Sequence, residues 1–311
     1  MILYIFNFRM NNFLKNIAIL FTIIVVSSII LDKIYTYIHY NGAPRNIPDY
    51  IMSLKEKDSL DYAIFGTSRA LHNIDINLIE QETTKKGFNF GIPGSSVFEI
   101  KLSIQQIIKR KITKNIYIQI DYIWNEFNSG GECTVDWLTY INENDIWNEF
   151  QKIDTKNDKY YLYKKIPFFR YCEYGSKLGF RELIMSLSNR KMKVINNKGF
   201  VPLFGKLKND DKPMTYQLKK EFNPHLQDII ELCKKENVNL FFFTSPIYNF
   251  KGNNKVLKES LPNYIDFSNA IHDAKYYQDN THLNNKGSFN FTKLFIKEYI
   301  NTRTHNNIYK K

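Results

Sequence analysis

Two residues three apart near the end of the chain, Asp279 and His282 in "YYQDNTHLNN" (276–285), have the types and spacing for general-base chemistry. An imidazole accepts a proton near neutral pH, and a carboxylate close by fixes its tautomer and stabilises the imidazolium formed. The pair lacks a nucleophile. Ser68 is the best candidate, because it follows an apolar run, "LDYAIFG" (60–66), through a glycine able to make a tight turn. Its hydroxyl needs a base within hydrogen-bond reach, and His282 is the one to expect. Singly, each residue has an ordinary reading: a turn or N-cap serine, a surface-loop histidine, a helix-capping aspartate. Together, in the order Ser…Asp-x-x-His at the ends of apolar strands, they predict a Ser68–His282–Asp279 triad for acyl transfer.

Such a triad needs a scaffold that gathers distant positions. After "LDYAIFG" the chain predicts a helix capped by Asp75 through about residue 84. A strand "GFNF" (87–90), a loop "GIPGSS", a helix "VFEIKLSIQQIIKR" (97–110) and a strand "KNIYIQID" (114–121) follow. This β-α-β-α-β order argues for a parallel sheet with helices on both faces. Between 122 and 213 the regularity breaks, and the stretch reads as a cap or lid insertion. Helix "YQLKKEFNPHLQDIIELCKKEN" (216–237), interrupted at Pro224, then resumes the pattern, with strands in "VNLFFFTSP" (238–246) and "LPNYIDFS" (261–268) and a last helix over 286–300. Ligand sites in open α/β sheets collect where strands end. "GTSR", "GIPGSS", the loop after "YIQID", and "QDNTH" should therefore face one crevice. "TSP" (244–246) would line it with Ser245 as a minor contact, and His72 reads as a rim residue.

The 311 residues, 43% hydrophobic and 15% aromatic, are enough for one sizeable domain with appendages. The formal charge of +12 is spread through the chain rather than gathered in a stripe, which argues against nucleic-acid binding. No ligand cluster suggests a metal, and no cofactor is expected. Cys133, Cys172 and Cys233 have no metal-like spacing; they read as isolated buried thiols, with a Cys133–Cys172 disulfide the other reading. The uncharged run "IAILFTIIVVSSIIL" (17–31), with apolar flanks, is long enough to cross a bilayer. It reads as an uncleaved anchor rather than a cleaved signal peptide, with Tyr35, Tyr37 and Tyr40 as an interfacial belt. Arg9 and Lys15 precede the run, so the N-terminus is expected in the cytoplasm and the rest outside it. The resulting organisation is an anchor (1–40), a neck (41–59), an α/β domain (60–301) with its insertion at about 122–213, and a polar tail (302–311).

These elements resemble the SGNH (GDSL-like) hydrolase superfamily over most of residues 60 to 300, the insertion aside. The resemblance implies a three-layer α/β/α fold with a flavodoxin-like parallel sheet. Carried over, Ser68 is the nucleophile, His282 the base and Asp279 its orienter. In "NFGIPG", Asn89 and Gly94 have the spacing of the family's second block, whose glycine amide joins that of the serine in the oxyanion hole. The chain departs from the pattern twice. Gly66-Thr67-Ser68-Arg69 stands where common members read Gly-Asp-Ser, and the third-block Gly-x-Asn-Asp is replaced by "DYIWNEF", where Asp121 or Asn125 could approach the site.

A Gly-x-Ser-Arg version behind a membrane anchor looks more like the branch containing the D-alanyl transfer protein of teichoic acid modification and the alginate O-acetylation proteins. That likeness implies an extracytoplasmic esterase or O-acyltransferase acting on a surface polysaccharide, with a multi-pass membrane acyltransferase as a partner. Arg69 could contact an anionic or polyhydroxylated glycan or form a structural salt bridge, and the insertion's aromatics could stack on sugars or pack the lid. The rival reading is an inactive SGNH-fold glycan-binding or assembly component.

Overall fold

The computed structural model describes residues 2–127, 132–153, 159–207 and 214–301. No Gly or Pro interrupts the chain before Gly42, and the result is one helix, α1 (Ile2–Asn41). At about 1.5 Å per residue α1 is roughly 60 Å long, twice a bilayer core of about 30 Å. Its Asn12–Asn41 segment is the one helix among the described residues long and apolar enough to cross a membrane. The chain divides into two compact units. One joins Met1–Ala43 to Trp137–Arg190; the other joins Pro44–Asp136 to Lys191–Lys311.

The second unit is the α/β unit. It opens with α2 (Ile47–Ser53), N-capped by Asn46, and enters β1 (Tyr62–Phe65), buried throughout as befits a central parallel strand. Helices α3 (Ser68–Asn73) and α4 (Ile76–Thr83), the latter capped by Asp75, lead to β2 (Gly87–Asn89). Helix α5 (Val97–Lys109) starts on a Ser96–Glu99 capping box and precedes β3 (Asn115–Gln119). The chain then supplies the unit that contains α1 with α6 (Asn144–Phe150), α7 (Lys159–Lys165), α8 (Phe169–Glu173), α9 (Gly175–Leu178) and α10 (Phe180–Leu187). It returns through α11 (Lys193–Asn196), α12 (Pro224–Lys235), β4 (Asn239–Thr244), α13 (Lys255–Ser260) and β5 (Tyr264–Asp266), and closes with α14 (Asn285–Phe295) and a π-helical turn, Ile296–Asn301.

The five strands form one parallel sheet, β2-β1-β3-β4-β5, with Ile64 opposite both Asn89 and Tyr117, and Tyr117 opposite Phe241. The order reverses at β1, and open α/β sheets hold their ligands beyond the carboxyl ends of the strands at such a switch point, here β1 and β3. Beneath it, Ile64, Tyr117, Phe241 and Phe243 pack with Ile74, Phe291, Phe295 and Tyr299 in a buried cluster. The Tyr299 hydroxyl, buried there, donates to Phe242 O at 2.5 Å, so the aromatic core leaves this phenol no polar debt.

Three expectations change. The helix expected from 216 begins only at Pro224, at its first position, because the residue before a proline disfavours helical backbone. Asn223 caps it and donates to Trp124 O and Glu126 O at 3.2 and 3.0 Å. The expected 122–213 insertion is narrower as a separate body, since Trp137–Arg190 alone leaves the α/β unit. Its flanks are tied down: Trp124 Nε1 donates to Lys219 O at 2.9 Å, and Asn89 N to Lys198 O at 3.0 Å. The tyrosine belt also dissolves. Tyr35 is buried edge-on to Phe168 and Tyr40 donates to Glu143 Oε1 at 2.8 Å, so only Tyr37 of the three is exposed. The three cysteines are free thiols, with no Cys133–Cys172 disulfide; Cys133 and Cys233 are buried as expected, but Cys172 is exposed. The tail at 302–311 lies outside the described residues.

Candidate active site

Strand β1 delivers the chain to Gly66, whose φ of 152° and surroundings both call for glycine. A Cβ there would stand 2.8 Å from Gln119 Cβ and 2.9 Å from Ala70 Cβ. Thr67 caps α3, its Oγ1 accepting from Arg69 N at 3.3 Å while its own N–H and O–H donate to Gln119 Oε1 at 3.2 and 3.0 Å. Ser68 thus occupies the first turn of α3, where helix geometry leaves backbone N–H groups without intrahelical acceptors.

The Ser68 hydroxyl lies 2.7 Å from His282 Nε2, across 214 residues of sequence. His282 Nδ1 lies 2.9 Å from Asp279 Oδ2 and 3.0 Å from Oδ1. A carboxylate only accepts, so Nδ1 carries the proton and Nε2 presents a lone pair to the serine O–H. Asp279 Oδ1 also accepts from the amides of Thr281 and His282 at 2.8 and 2.9 Å and from Thr281 Oγ1 at 3.0 Å. Partial burial works against this carboxylate's charge, but the His282 imidazole and these backbone and side-chain donors outweigh it and hold its pKa well below the usual range. The Asp279 side chain is 50% exposed and that of His282 22%, so the pair faces the crevice rather than the core. Where the sequence left a choice between a cap and a triad, the three side chains converge.

Two bonds lock the histidine loop to the serine helix. Arg69 Nε donates to Thr281 O at 3.2 Å, and Leu283 N donates to Asn73 Oδ1 at 3.0 Å. Arg69 does more than this, and here the two readings of it resolve. Its guanidinium is ion-paired with Asp121, donates to Ser245 O at 2.5 Å and to Pro246 O at 3.3 Å, and is buried. The arginine is therefore a structural hub joining the loops after β1, β3 and β4 to the histidine loop, with no face left for a glycan. Asp121 is equally buried, accepting from Gln119 Nε2 at 2.7 Å and Ile123 N at 3.2 Å besides Arg69, so it supports the site from beneath.

The remaining candidates separate by role. Asn89 is buried and donates to Ala70 O at 2.7 Å and Ile74 O at 3.3 Å, while its Oδ1 accepts from Gly91 N at 3.0 Å. It braces the end of α3, a supporting part rather than a substrate contact. Asn125 is turned away: its Nδ2 donates to Gln217 O at 2.8 Å and its Oδ1 accepts from Lys219 N at 2.9 Å, so its amide is used up in binding that segment. Gly94 lies exposed on the turn closed by Ser95 N to Ile92 O at 3.1 Å, with a φ of 72°. That turn is fastened to Gly66, whose carbonyl accepts from Ile92 N and Ser95 Oγ at 3.0 and 3.1 Å.

Three contributors escaped sequence reasoning. Gln119 at the end of β3 holds Thr67 and Asp121 together, Thr67 caps the serine helix, and Thr281 braces the carboxylate. His72, expected at the rim, stands beside the pair: its Nδ1–H donates to Val201 O at 2.7 Å, and its ring centre is 5.5 Å from that of His282 in an edge-to-face arrangement. Burial lowers the His72 pKa, and the neighbouring His282 lowers it further, against the Val201 carbonyl and Asp279. Only position hinted at these residues, each being polar at a strand end or one helical turn from a candidate. Among the described residues no cluster of His, Cys, Asp or Glu is placed to hold a metal ion.

No protein-family model matches the chain, and no curated protein matches it. The chemistry must be read from the arrangement itself. A serine hydroxyl bonded to an imidazole whose far nitrogen rests on a carboxylate is equipped to lose its proton while attacking an electrophilic carbon.

Proposed function

We propose that this chain is a membrane-anchored serine acyl-ester enzyme of SGNH type, an esterase or O-acyltransferase acting outside the cytoplasm on a cell-surface polysaccharide. The observation that carries the reading is the relay Ser68 Oγ, His282 Nε2, His282 Nδ1, Asp279 Oδ2, with contacts of 2.7 and 2.9 Å. The fold completes a three-layer α/β/α arrangement, and α1 holds it at the membrane with its N-terminus in the cytoplasm. A multi-pass membrane acyltransferase would supply the activated acyl group if the reaction is transfer.

In the proposed reaction His282 Nε2 takes the Ser68 proton as Oγ bonds to the ester carbonyl carbon. The oxyanion rests on the amides of Ser68 and Gly94, an arrangement worth several kcal/mol of barrier. The tetrahedral species collapses, the C–O bond to the leaving group breaks, and His282 returns the proton to the departing alkoxide. Water or a glycan hydroxyl then attacks the acyl-serine as His282 takes its proton, the acyl–Oγ bond breaks, and His282 returns that proton to Ser68 Oγ. Asn125, engaged with Gln217 and Lys219, supplies no third oxyanion donor, so two backbone donors carry that task.

The test is labelling of the full chain with a fluorophosphonate. Ser68 is expected to become phosphonylated, the signal to vanish in Ser68→Ala and to fall by more than about a hundredfold in rate in His282→Ala. A chain that stays unlabelled while folded would favour the glycan-binding reading and end this one.

A further inference from the structure

The unit that carries α1 has an unusual outer surface where it meets the apolar run. The run ends at Leu31, and Asp32, the next residue, accepts from Phe168 N at 2.8 Å and is ion-paired with Arg170 at 2.9 Å. Phe168 is the pivot between α7 and α8, held at a φ of 66°, with its ring edge-on to Tyr35 at 4.9 Å. The α7–α8 turn is therefore clamped to α1 one residue beyond the end of the uncharged apolar run. Leu162 and Ile166 stand one helical turn apart beside this pivot, joined by the Ile166 N to Leu162 O bond. They are 40% and 46% exposed, and Tyr161 next to them is 51% exposed. Between them lie Lys164 and Lys165, and the stretch 159–177 holds five basic residues to one acidic.

Exposed aliphatic side chains grouped with lysines at the end of a spanning helix have the make-up of an interfacial contact. The apolar parts enter the headgroup boundary and the ammonium groups meet lipid phosphates. We propose that the α7–α8 turn seats in the headgroup region of an anionic bilayer, with Leu162 and Ile166 as its apolar contacts and Lys164 and Lys165 as its charged ones. The inference rests on α1 crossing the membrane but not on which side the α/β unit occupies. The seat fixes the orientation of the anchor-bearing unit against the bilayer, because a single helix otherwise leaves it free to swing. The far end of α1 supplies an internal control. Asn41 is nine residues beyond Asp32, about 13 Å along the axis, and at that end Ala43 N donates to Ser186 O at 3.1 Å, so exposed Ser188 lies well clear of the lipid.

The experiment places a nitroxide at Leu20, Leu162, Ile166 or Ser188, one at a time, in the full chain with its three cysteines replaced by alanine. The chain is reconstituted in vesicles of phosphatidylcholine and phosphatidylglycerol, and collision with oxygen is compared with collision with a water-soluble nickel chelate. Leu20 is expected deep in the hydrocarbon. Leu162 and Ile166 should both be interfacial, with nickel access at least about threefold below that of Ser188. Exchanging Lys164→Glu and Lys165→Glu together should raise nickel access at Ile166 by about twofold. Leu162 and Ile166 as open to nickel as Ser188, with Leu20 in lipid, would overturn the seat and leave the anchor standing. Leu20 in water would overturn the anchor and the seat together. An unchanged Ile166 in the double lysine variant would remove the charged half of the contact.

Discussion

Arg69 in the α/β unit and Arg170 beside α1 are both buried and both paired with an aspartate, yet their surroundings differ in how completely they use the guanidinium. Arg69 reaches Asp121 and the carbonyls of Thr281, Ser245 and Pro246, so every branch of its fork has an acceptor. Arg170 reaches both oxygens of Asp32, Thr36 Oγ1 at 2.9 Å and Tyr163 O at 3.3 Å, but its Nε finds no partner. One arginine fixes the relative positions of four loops; the other staples one helix to a small bundle. A site for acyl transfer needs donors and base held within a fraction of an ångström, whereas a helix seam tolerates slack. Under the proposed function, reactivity belongs to the Arg69 side and assembly to the Arg170 side.

The sharpest way to break that assignment is to compare Asp279→Asn with Arg170→Ala. Asp279→Asn should lower ester turnover by about 10³- to 10⁴-fold, since the amide can steady the wrong tautomer and cannot stabilise an imidazolium. Arg170→Ala should leave the Ser68 phosphonylation rate within about twofold, because it touches none of the four loops. Equal losses in the two variants would sink the division.

Arg69→Ala comes next in size. It strands Asp121 buried and unpaired, at a cost of about 3–5 kcal/mol in a denaturation curve, with serine reactivity lost alongside. Arg69→Lys sharpens the comparison: it restores charge but not the fork, so stability should recover more than reactivity. Reactivity that recovers fully with lysine would reduce Arg69 to a counter-charge. Arg170→Ala should cost less, about 2–3 kcal/mol, because Asp32 keeps some contact with solvent.

The smallest effects are in pH dependence. The Asp279 carboxyl titrates below its unfolded value near 3.9, so its contribution to stability is present above about pH 4 and is lost as pH falls through the lower folded value. Asp279→Asn should flatten the acid limb of a stability profile. Half-buried His72 has its pKa lowered by that burial, so the unfolded chain takes up that proton first. Stability is then full above about pH 6.5 and declines as pH drops towards the folded value. His72→Gln, which keeps a donor for Val201, should remove that slope.

How much of this was legible in the sequence follows from the range of each signal. The strands at 62–65, 87–89, 115–119, 239–244 and 264–266 fall inside the apolar runs; for the first four, buried almost throughout, burial on both faces writes itself as a continuous local pattern. The Asp75 cap and the Ser96–Glu99 box are equally local. Ser68, Asp279 and His282 were readable because strand ends and a three-residue spacing narrow the choice to few residues. Arg69 was not: whether it meets a glycan or a protein acceptor depends on groups 52, 176 and 212 residues away, which no local pattern encodes. Asn125 was misjudged for the same reason, its partners being 92 and 94 residues off. The tyrosine belt failed because Tyr35 and Tyr40 are consistent with lipid headgroups and protein alike, and only the helices after 137 decide between them.

Rapid-mixing kinetics with an activated aryl acetate, followed by peptide mapping of the quenched protein, tests the central claim most directly. A pre-steady-state burst approaching one equivalent of phenolate, with the acetyl group recovered on Ser68 and absent from Asp279→Asn quenched at the same time, is the predicted result. A folded protein that shows no burst, or one that carries the acetyl group on lysines with Ser68 unmodified, would contradict it.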